Sequence, residues 1–270
     1  MLRCMSPSAS VDSASIFYTA PHIARKPKQR LSAEFQNDLA GTVRCNVMQQ
    51  GDALELLAAL PAACSKLVFF DPQYRGVLDR QEYGNEGARQ KGRFDLPAMT
   101  SDYIDACCRE SARVLRPLGY VMLWTDTYNM LEGHHLRVRD ALAPVSAVAW
   151  DNQCLSQGHR TRHRGSDLIV LQKPRLQKPY LVARATWRTK PAIPTRWPER
   201  IIRPRSQHPH IKPIGLITAL IEAITDPGDL VVDPAAGSFV VMRAAHALGR
   251  DFVGCDLDYR STGPREGEAR

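Results

Sequence analysis

The stretch Lys66–Phe70 (KLVFF) has no polar side chain after its lysine and runs straight into Asp71-Pro72. A continuous apolar run of this length, stopped by a turn dipeptide, predicts a strand buried on both faces. Tyr120–Trp124 (YVMLW), Leu230–Asp233 (LVVD) and Asp251–Cys255 (DFVGC) read the same way. Helical segments are expected at Ala53–Leu60, closed by Pro61, and at Ser101–Leu115, with Ser101 as N-cap and Pro117 and Gly119 beyond its end. Met130–Leu142, Pro213–Thr225 and Phe239–Leu248 are further helix candidates. Val43–Met48 is a further strand candidate, and Val145–Trp150 with Asp167–Gln172 an antiparallel edge pair. Strands alternating with helices predict an α/β chain with a doubly wound, mostly parallel sheet.

The 270 residues suffice for one α/β domain and a small insertion. With 44% hydrophobic and 24% charged residues, a disordered, collagenous or coiled-coil chain is excluded. No apolar run reaches the ~18–20 residues of a membrane span, and the first residues lack the apolar core of a signal peptide. Seven cysteines without a CxxC pair point to reduced thiols and a cytoplasmic protein, nucleoid-associated if the source is bacterial.

Charge divides the chain unevenly. Between Asp151 and Lys212 stand 14 Lys/Arg against three acids, a local charge of +11 within a total of +8. This segment also holds a Pro-rich stretch, 173–205, with Trp187 and Trp197 among arginines. Such a segment is an irregular basic module that binds a polyanion, or a solvated loop region; composition leaves both open. Residues 1–40 read as a mobile leader with a docking piece at Ile16–Tyr18. The Gly-rich, charged Asp79–Asp95 reads as a flap.

Two loops carry chemistry. Asp233-Pro234-Ala235-Ala236-Gly237-Ser238 lies between a strand and a helix, where small residues admit a ligand to the backbone and the helix start offers free N–H groups. Asp256, after the next strand, is placed to accept the hydroxyls of a ribose. There is no GxGxxG and no Lys-Ser/Thr after the glycine, which argues against a dinucleotide dehydrogenase or a P-loop NTPase. Asp71-Pro72-Gln73-Tyr74 ends the most apolar strand and combines a carboxylate, a carbonyl and an aromatic ring. That set suits a flat ring bearing an amine: Tyr74 stacks on it, while Asp71 and the Pro72 carbonyl accept its two amine hydrogens. An Asp-Pro turn and a tight strand–helix loop with a surface Asp remain the plain structural alternatives.

In this order the motifs resemble the beta group of exocyclic-amino DNA methyltransferases, in which a catalytic Asp-Pro-Pro-Tyr precedes the cofactor motif in a circularly permuted chain. Gly51-Asp52, Asp71-Pro72-Gln73-Tyr74, His208-Pro209-His210-Ile211-Lys212-Pro213, Pro227-Gly228-Asp229 and Asp233–Ser238 match in sequence, over roughly residues 43–259. The resemblance implies a Rossmann-like methyltransferase fold with a small irregular basic insertion, and S-adenosylmethionine as cofactor. It implies a catalytic set of Asp71, Pro72, Gln73 and Tyr74. The implied cofactor set is Asp52, Asp71, His208, Lys212, Asp233, Pro234, Ala235, Gly237, Ser238 and Asp256. It divides the chain into a leader (1–40), a catalytic half (41–150), a target-recognition region (151–205), a cofactor half (206–260) and a tail (261–270). Arg160, Arg162, Arg164 and Arg188 are the expected contacts to duplex DNA.

The Asp-first tetrapeptide implies methylation of adenine N6 in a flipped-out base; cytosine N4 is the alternative. Gln73 stands in place of the second Pro, and Ala235 and Phe239 in place of the usual Phe and last Gly of the cofactor loop. Phe239 is expected to stiffen that turn and refill the space. These departures motivate a second reading, a silent DNA-binding protein of the same fold. A third is a methyltransferase acting on RNA or a small molecule. A homodimer and a restriction endonuclease partner are both compatible with the sequence. His159 and His163, four apart, lack an acid or Cys partner at ligand spacing, so no metal site is expected.

Overall fold

The computed structural model describes residues 43–74, 99–155, 162, 164–174, 187, 192–201, 211–257 and 259. The expected leader and flap lie outside these residues, as do His159, His163, Arg160, Arg188 and His208.

The chain runs α1 (Ala53–Ala59), β1 (Ser65–Phe70), α2 (Ser101–Val114), β2 (Leu115–Thr125), α3 (Thr127–Leu131), a 3₁₀ turn (His134–Val138), β3 (Ala143–Asp151) and β4 (Gly165–Gln172). It continues with β5 (Arg196–Pro198), α4 (Ile214–Ile224), β6 (Leu230–Asp233), α5 (Val240–Ala247) and β7 (Asp251–Gly254). The seven strands form one sheet in the order β5-β3-β4-β2-β1-β6-β7. Neighbours are parallel except where β4 pairs with β2 and β3. The sheet is therefore mixed and mostly parallel, and the fold is the expected doubly wound α/β type.

The period of two along β1 explains why it is buried on both faces. Val68 and Phe70 join one core with α1 and α2, through Leu57, Ile104 and Cys107. Leu67 and Phe69 join a second core with α4 and α5, through Leu216, Leu220, Val241 and Ala245. Each large apolar side chain buried this way contributes about 1.5–3 kcal/mol, enough to fix the strand's place in the sheet interior, between β2 and β6.

Four local expectations need correction. Val43–Met48 is not a strand but turns at Asn46 (φ 61°), whose backbone N–H donates to Phe252 O at 2.8 Å and whose side-chain Oδ1 accepts Phe252 N–H at 2.9 Å. A side-chain amide thus replaces part of a strand ladder. The N-cap of α2 is Thr100, not Ser101; its hydroxyl accepts Tyr103 N–H at 3.2 Å. Met130–Leu142 is not one helix, because Gly133 adopts φ 71° and divides α3 from the 3₁₀ turn. The β3–β4 pair is antiparallel as expected but is not the edge, since β5, from the segment expected to be irregular, pairs with β3.

Candidate active site and cofactor pocket

Ligands of open α/β sheets bind beyond the carboxyl ends of the strands. Here that edge gathers the ends of β1, β2, β6 and β7 and the start of antiparallel β4, around a cavity of about 610 Å³. One wall is the Asp71–Tyr74 turn after β1; another is formed by Pro234, Ala235 and Gly237 after β6, with Asp256 and Leu257 after β7. Gly51, Asp52 and Ala53 complete the second side. They are brought there by a bridge between Gln50 and Asp256, with Gly51 N–H donating to Asp256 O at 3.2 Å.

The Asp71 carboxylate forms an ion pair with Lys212 Nζ at 2.8 Å, and the same ammonium stands 5.0 Å from the centre of the Trp124 ring. The Pro72 carbonyl accepts Tyr74 N–H at 2.9 Å. This tightens the turn and leaves the second lone pair of the oxygen for a ligand. Met99 N–H donates to Gln73 O at 2.8 Å, pinning the turn to the chain before α2. Tyr74 is partly buried in the α1–α2 core, lines the cavity and meets His134 edge to face at 6.0 Å. Burial pushes its phenol well above the ordinary tyrosine range.

In the loop after β6, Gly237 adopts φ 48°, and its N–H donates to Asp256 Oδ2 at 3.1 Å. Ala236 N–H donates to Cys255 O at 2.8 Å. Phe239 does not refill the cavity. It takes the left-handed conformation (φ 53°) that a glycine would adopt without strain, and its ring is buried against Phe252 and Tyr259. Asp233 is 4% exposed and lies below the loop; burial, then the neighbouring carboxylates Asp71 and Asp256, push its carboxyl well above the usual range. Asp233 and Ser238 line a second cavity of about 40 Å³ behind the loop rather than the main one.

Asp52 is the N-cap of α1, accepting Leu54 N–H and Glu55 N–H at 2.9 and 3.1 Å, while its other oxygen accepts Tyr103 O–H at 2.6 Å. Of the expected DNA contacts, Arg162 is exposed and Arg164 donates from Nε to Asp151 Oδ1 at 3.0 Å. The pocket also contains residues that no motif marks: Met99, Thr100 and Tyr103 around the start of α2, Thr125 and Asp126 at the end of β2, and Ser166 on β4. Among the described residues lining the main cavity stand four carboxylates, Asp52, Asp71, Asp126 and Asp256, and one ammonium, Lys212. Burial pushes the Cys255 and Cys107 thiols up to about 12, so both stay protonated and poor nucleophiles. Among the described residues there is no cluster able to hold a metal ion, and no helix long and apolar enough to cross a membrane.

Fold and pocket together define an open α/β protein with a ligand-sized cavity at the carboxyl edge of the sheet. The model of the N6/N4 DNA methylase family matches residues 65–261, and the chain belongs to that family. Over 215 residues it is 40% identical to the type II methyltransferase M.HhaII of Haemophilus parahaemolyticus, covering 78% of this chain and 91% of that relative. The DNA adenine methyltransferase YhdJ of Escherichia coli is 27% identical over 238 residues, 77% of each chain. Among solved structures, the putative DNA modification methylase TTHA0409 of Thermus thermophilus, complexed with S-adenosyl-L-methionine, is similar with a TM-score of 0.52 and 21% identity, covering 78% of this chain and 87% of that one. The cytosine-N4-specific PvuII DNA methyltransferase gives a TM-score of 0.55 at 18% identity, covering 78% and 81%. At these identities the two structures speak for the fold.

Proposed function

We propose that this DNA methyltransferase transfers the methyl group of S-adenosylmethionine to N6 of an adenine flipped out of duplex DNA. The observation that carries the reading is the cavity shared by the Asp71–Tyr74 turn and the Gly237–Asp256 wall. Its volume falls in the range that holds a small-molecule ligand. Its preponderance of carboxylates favours a ligand bearing a positive sulfonium, and disfavours the neutral thioether left after transfer.

S-adenosylmethionine is the cofactor, and it supplies an activated methyl on a good leaving group. Asp256 and Gly237 would hold its ribose, and Asp52 and Ala53 would bound the site on the α1 side. The exocyclic amine of adenine is a poor nucleophile because its lone pair is delocalised into the ring. Asp71 Oδ and the open lone pair of the Pro72 carbonyl would each accept one amine hydrogen and draw the nitrogen toward a tetrahedral geometry. Catalysis of this kind rests on positioning and fixed charge, and needs no cysteine nucleophile. Tyr74 offers an aromatic wall to a base whose extrusion costs a few kcal/mol of stacking and pairing. The basic 151–205 segment, as the target-recognition region, would meet phosphates and base edges.

Adenine is supported by the Asp-first tetrapeptide and by the adenine enzyme among the relatives. The type II name of M.HhaII supports a restriction endonuclease as the partner in the cell. Transfer from labelled cofactor to unmethylated duplex DNA, followed by digestion to nucleosides and mass analysis, tests the reading. N6-methyladenine is expected. N4-methylcytosine would keep the site chemistry and overturn the base, while folded protein that binds no cofactor and leaves DNA unmethylated would favour a silent binding protein.

A further inference from the structure

Helix α4 starts without a cap of its own. Its N-cap is Pro213, which offers no side-chain acceptor. Gly215 N–H and Leu216 N–H donate instead to Glu199 Oε1 and Oε2, at 2.9 and 3.1 Å, from the residue that follows β5. Trp197 Nε1–H donates to the same carboxylate at 2.7 Å. The backbone of Glu199 is fixed as well: its N–H donates to Asp151 O at 3.0 Å, and its carbonyl accepts Trp150 Nε1–H at 2.8 Å. A Cβ at Gly215 would lie 2.7 Å from Glu199 Oε2, so glycine is what lets the carboxylate reach the helix.

Lys212 is the residue before that N-cap, and its Nζ reaches Asp71 at 2.8 Å. Trp124, under the same ammonium, meets Trp150 edge to face at 6.2 Å. Two routes therefore run from Glu199 to Lys212: one along the start of α4, one through Trp150 and Trp124. An acid at a helix start satisfies orphan donors and complements the helix dipole, so it fixes where the helix begins. Here that start sets the position from which Lys212 extends.

We propose that Glu199 is a positioning residue for methyl transfer: it docks the basic segment onto α4 and so holds Lys212 on Asp71. The inference rests on the reading of Asp71 as the acceptor of the amine hydrogens. It makes the segment expected to grip DNA and the lysine that touches the reacting carboxylate one mechanical unit.

The test compares wild type, Glu199→Ala, Gly215→Ala, Lys212→Gln and the Glu199→Ala/Lys212→Gln double variant on duplex DNA at saturating cofactor, with thermal unfolding of each. Gly215→Ala displaces the carboxylate while improving helix propensity, so it covers the case in which Glu199→Ala does not fold. The expected result is a kcat about 10- to 100-fold lower in Glu199→Ala and in Gly215→Ala, the loss that a misplacement of about 1 Å causes. The KM for DNA should rise by less than kcat falls: releasing the basic segment weakens DNA binding, while misplacing Lys212 acts on the transition state. In the Lys212→Gln background, Glu199→Ala should cost less than about twofold more. Wild-type kcat in either folded variant, a loss confined to KM, or losses that multiply in the double variant would each overturn the inference. Asp71→Ala runs beside them. If it keeps turnover, the reading of Asp71 fails first; if it is dead while the Glu199 and Gly215 variants turn over normally, the positioning role alone fails.

Discussion

Two Asp-Pro dipeptides end two adjacent parallel strands of this protein, and they have opposite environments. Asp71-Pro72 closes β1; Asp233-Pro234 closes β6 and begins at its last residue. The Asp71 side chain is 35% exposed, faces the main cavity and has the Lys212 ammonium at 2.8 Å. Asp233 is buried below its loop, where its carboxylate accepts Ala235 N–H at a long 3.4 Å. The same dipeptide thus gives an ion-paired group facing the cavity in one place and a desolvated acid under a loop in the other. What separates them is a cation and access to solvent, neither of which is encoded in the dipeptide.

The two acids are expected to respond differently to the same change. In the proposed reaction Asp71→Asn removes the stronger hydrogen-bond acceptor at the amine. It should lower kcat about 10²–10³-fold, the cost of losing one preorganised electrostatic group, and weaken cofactor binding, measured by calorimetry, by a much smaller factor. The loop above Asp233 is held by Phe239. Phe239→Gly relieves a left-handed backbone but removes a buried ring, and the second effect should win, destabilising the protein by about 2–4 kcal/mol in urea unfolding. With the ribose on Asp256 as proposed, Asp256→Asn should raise the Kd for cofactor about tenfold in equilibrium binding, while kcat at saturating cofactor stays near wild type.

Asp233 itself should show a reversed pH signature. An acid whose pKa is raised on folding binds its proton more readily folded than unfolded. Its contribution to stability is fully present below the unfolded carboxylate range and is lost as pH rises through the raised folded value. Asp233→Asn should therefore melt higher than wild type in neutral or mildly alkaline buffer, with the gain shrinking in acid, as followed by scanning calorimetry. The smallest effect is expected at Arg164, whose Nε is already engaged by Asp151. Arg164→Ala should reduce the salt slope of DNA binding by less than about one, the value for a full phosphate contact.

The strands next to the site are legible in the sequence because their apolar runs are continuous. Leu230–Asp233 is the strand as read, and β1 differs from Lys66–Phe70 by one residue. Asp71, Asp256 and the small-residue loop are legible because each sits at a fixed offset from such a strand, whereas Lys212 is marked only by the resemblance of its motif to the family. Val43–Met48 misleads because Val43, Cys45 and Val47 alternate like a strand, while the chain pairs through the amide of Asn46 instead. Phe239 misleads because the residues that follow it are apolar, and only the fold shows the ring against Phe252 rather than in the cavity. Tyr103 and Ser166 carry no local signal at all. Tyr103 reaches the pocket because α1 packs on α2, placing its hydroxyl on Asp52, and Ser166 because β4 enters the sheet antiparallel.

In the proposed reaction one cavity holds both the methyl donor and the amine that receives it. A crystal structure with S-adenosylhomocysteine, the demethylated cofactor, tests this most directly. Its ribose hydroxyls are expected on the Asp256 carboxylate and its sulfur turned toward Asp71 and Pro72. A nucleoside bound away from Asp256, or a sulfur facing away from Asp71, would contradict it.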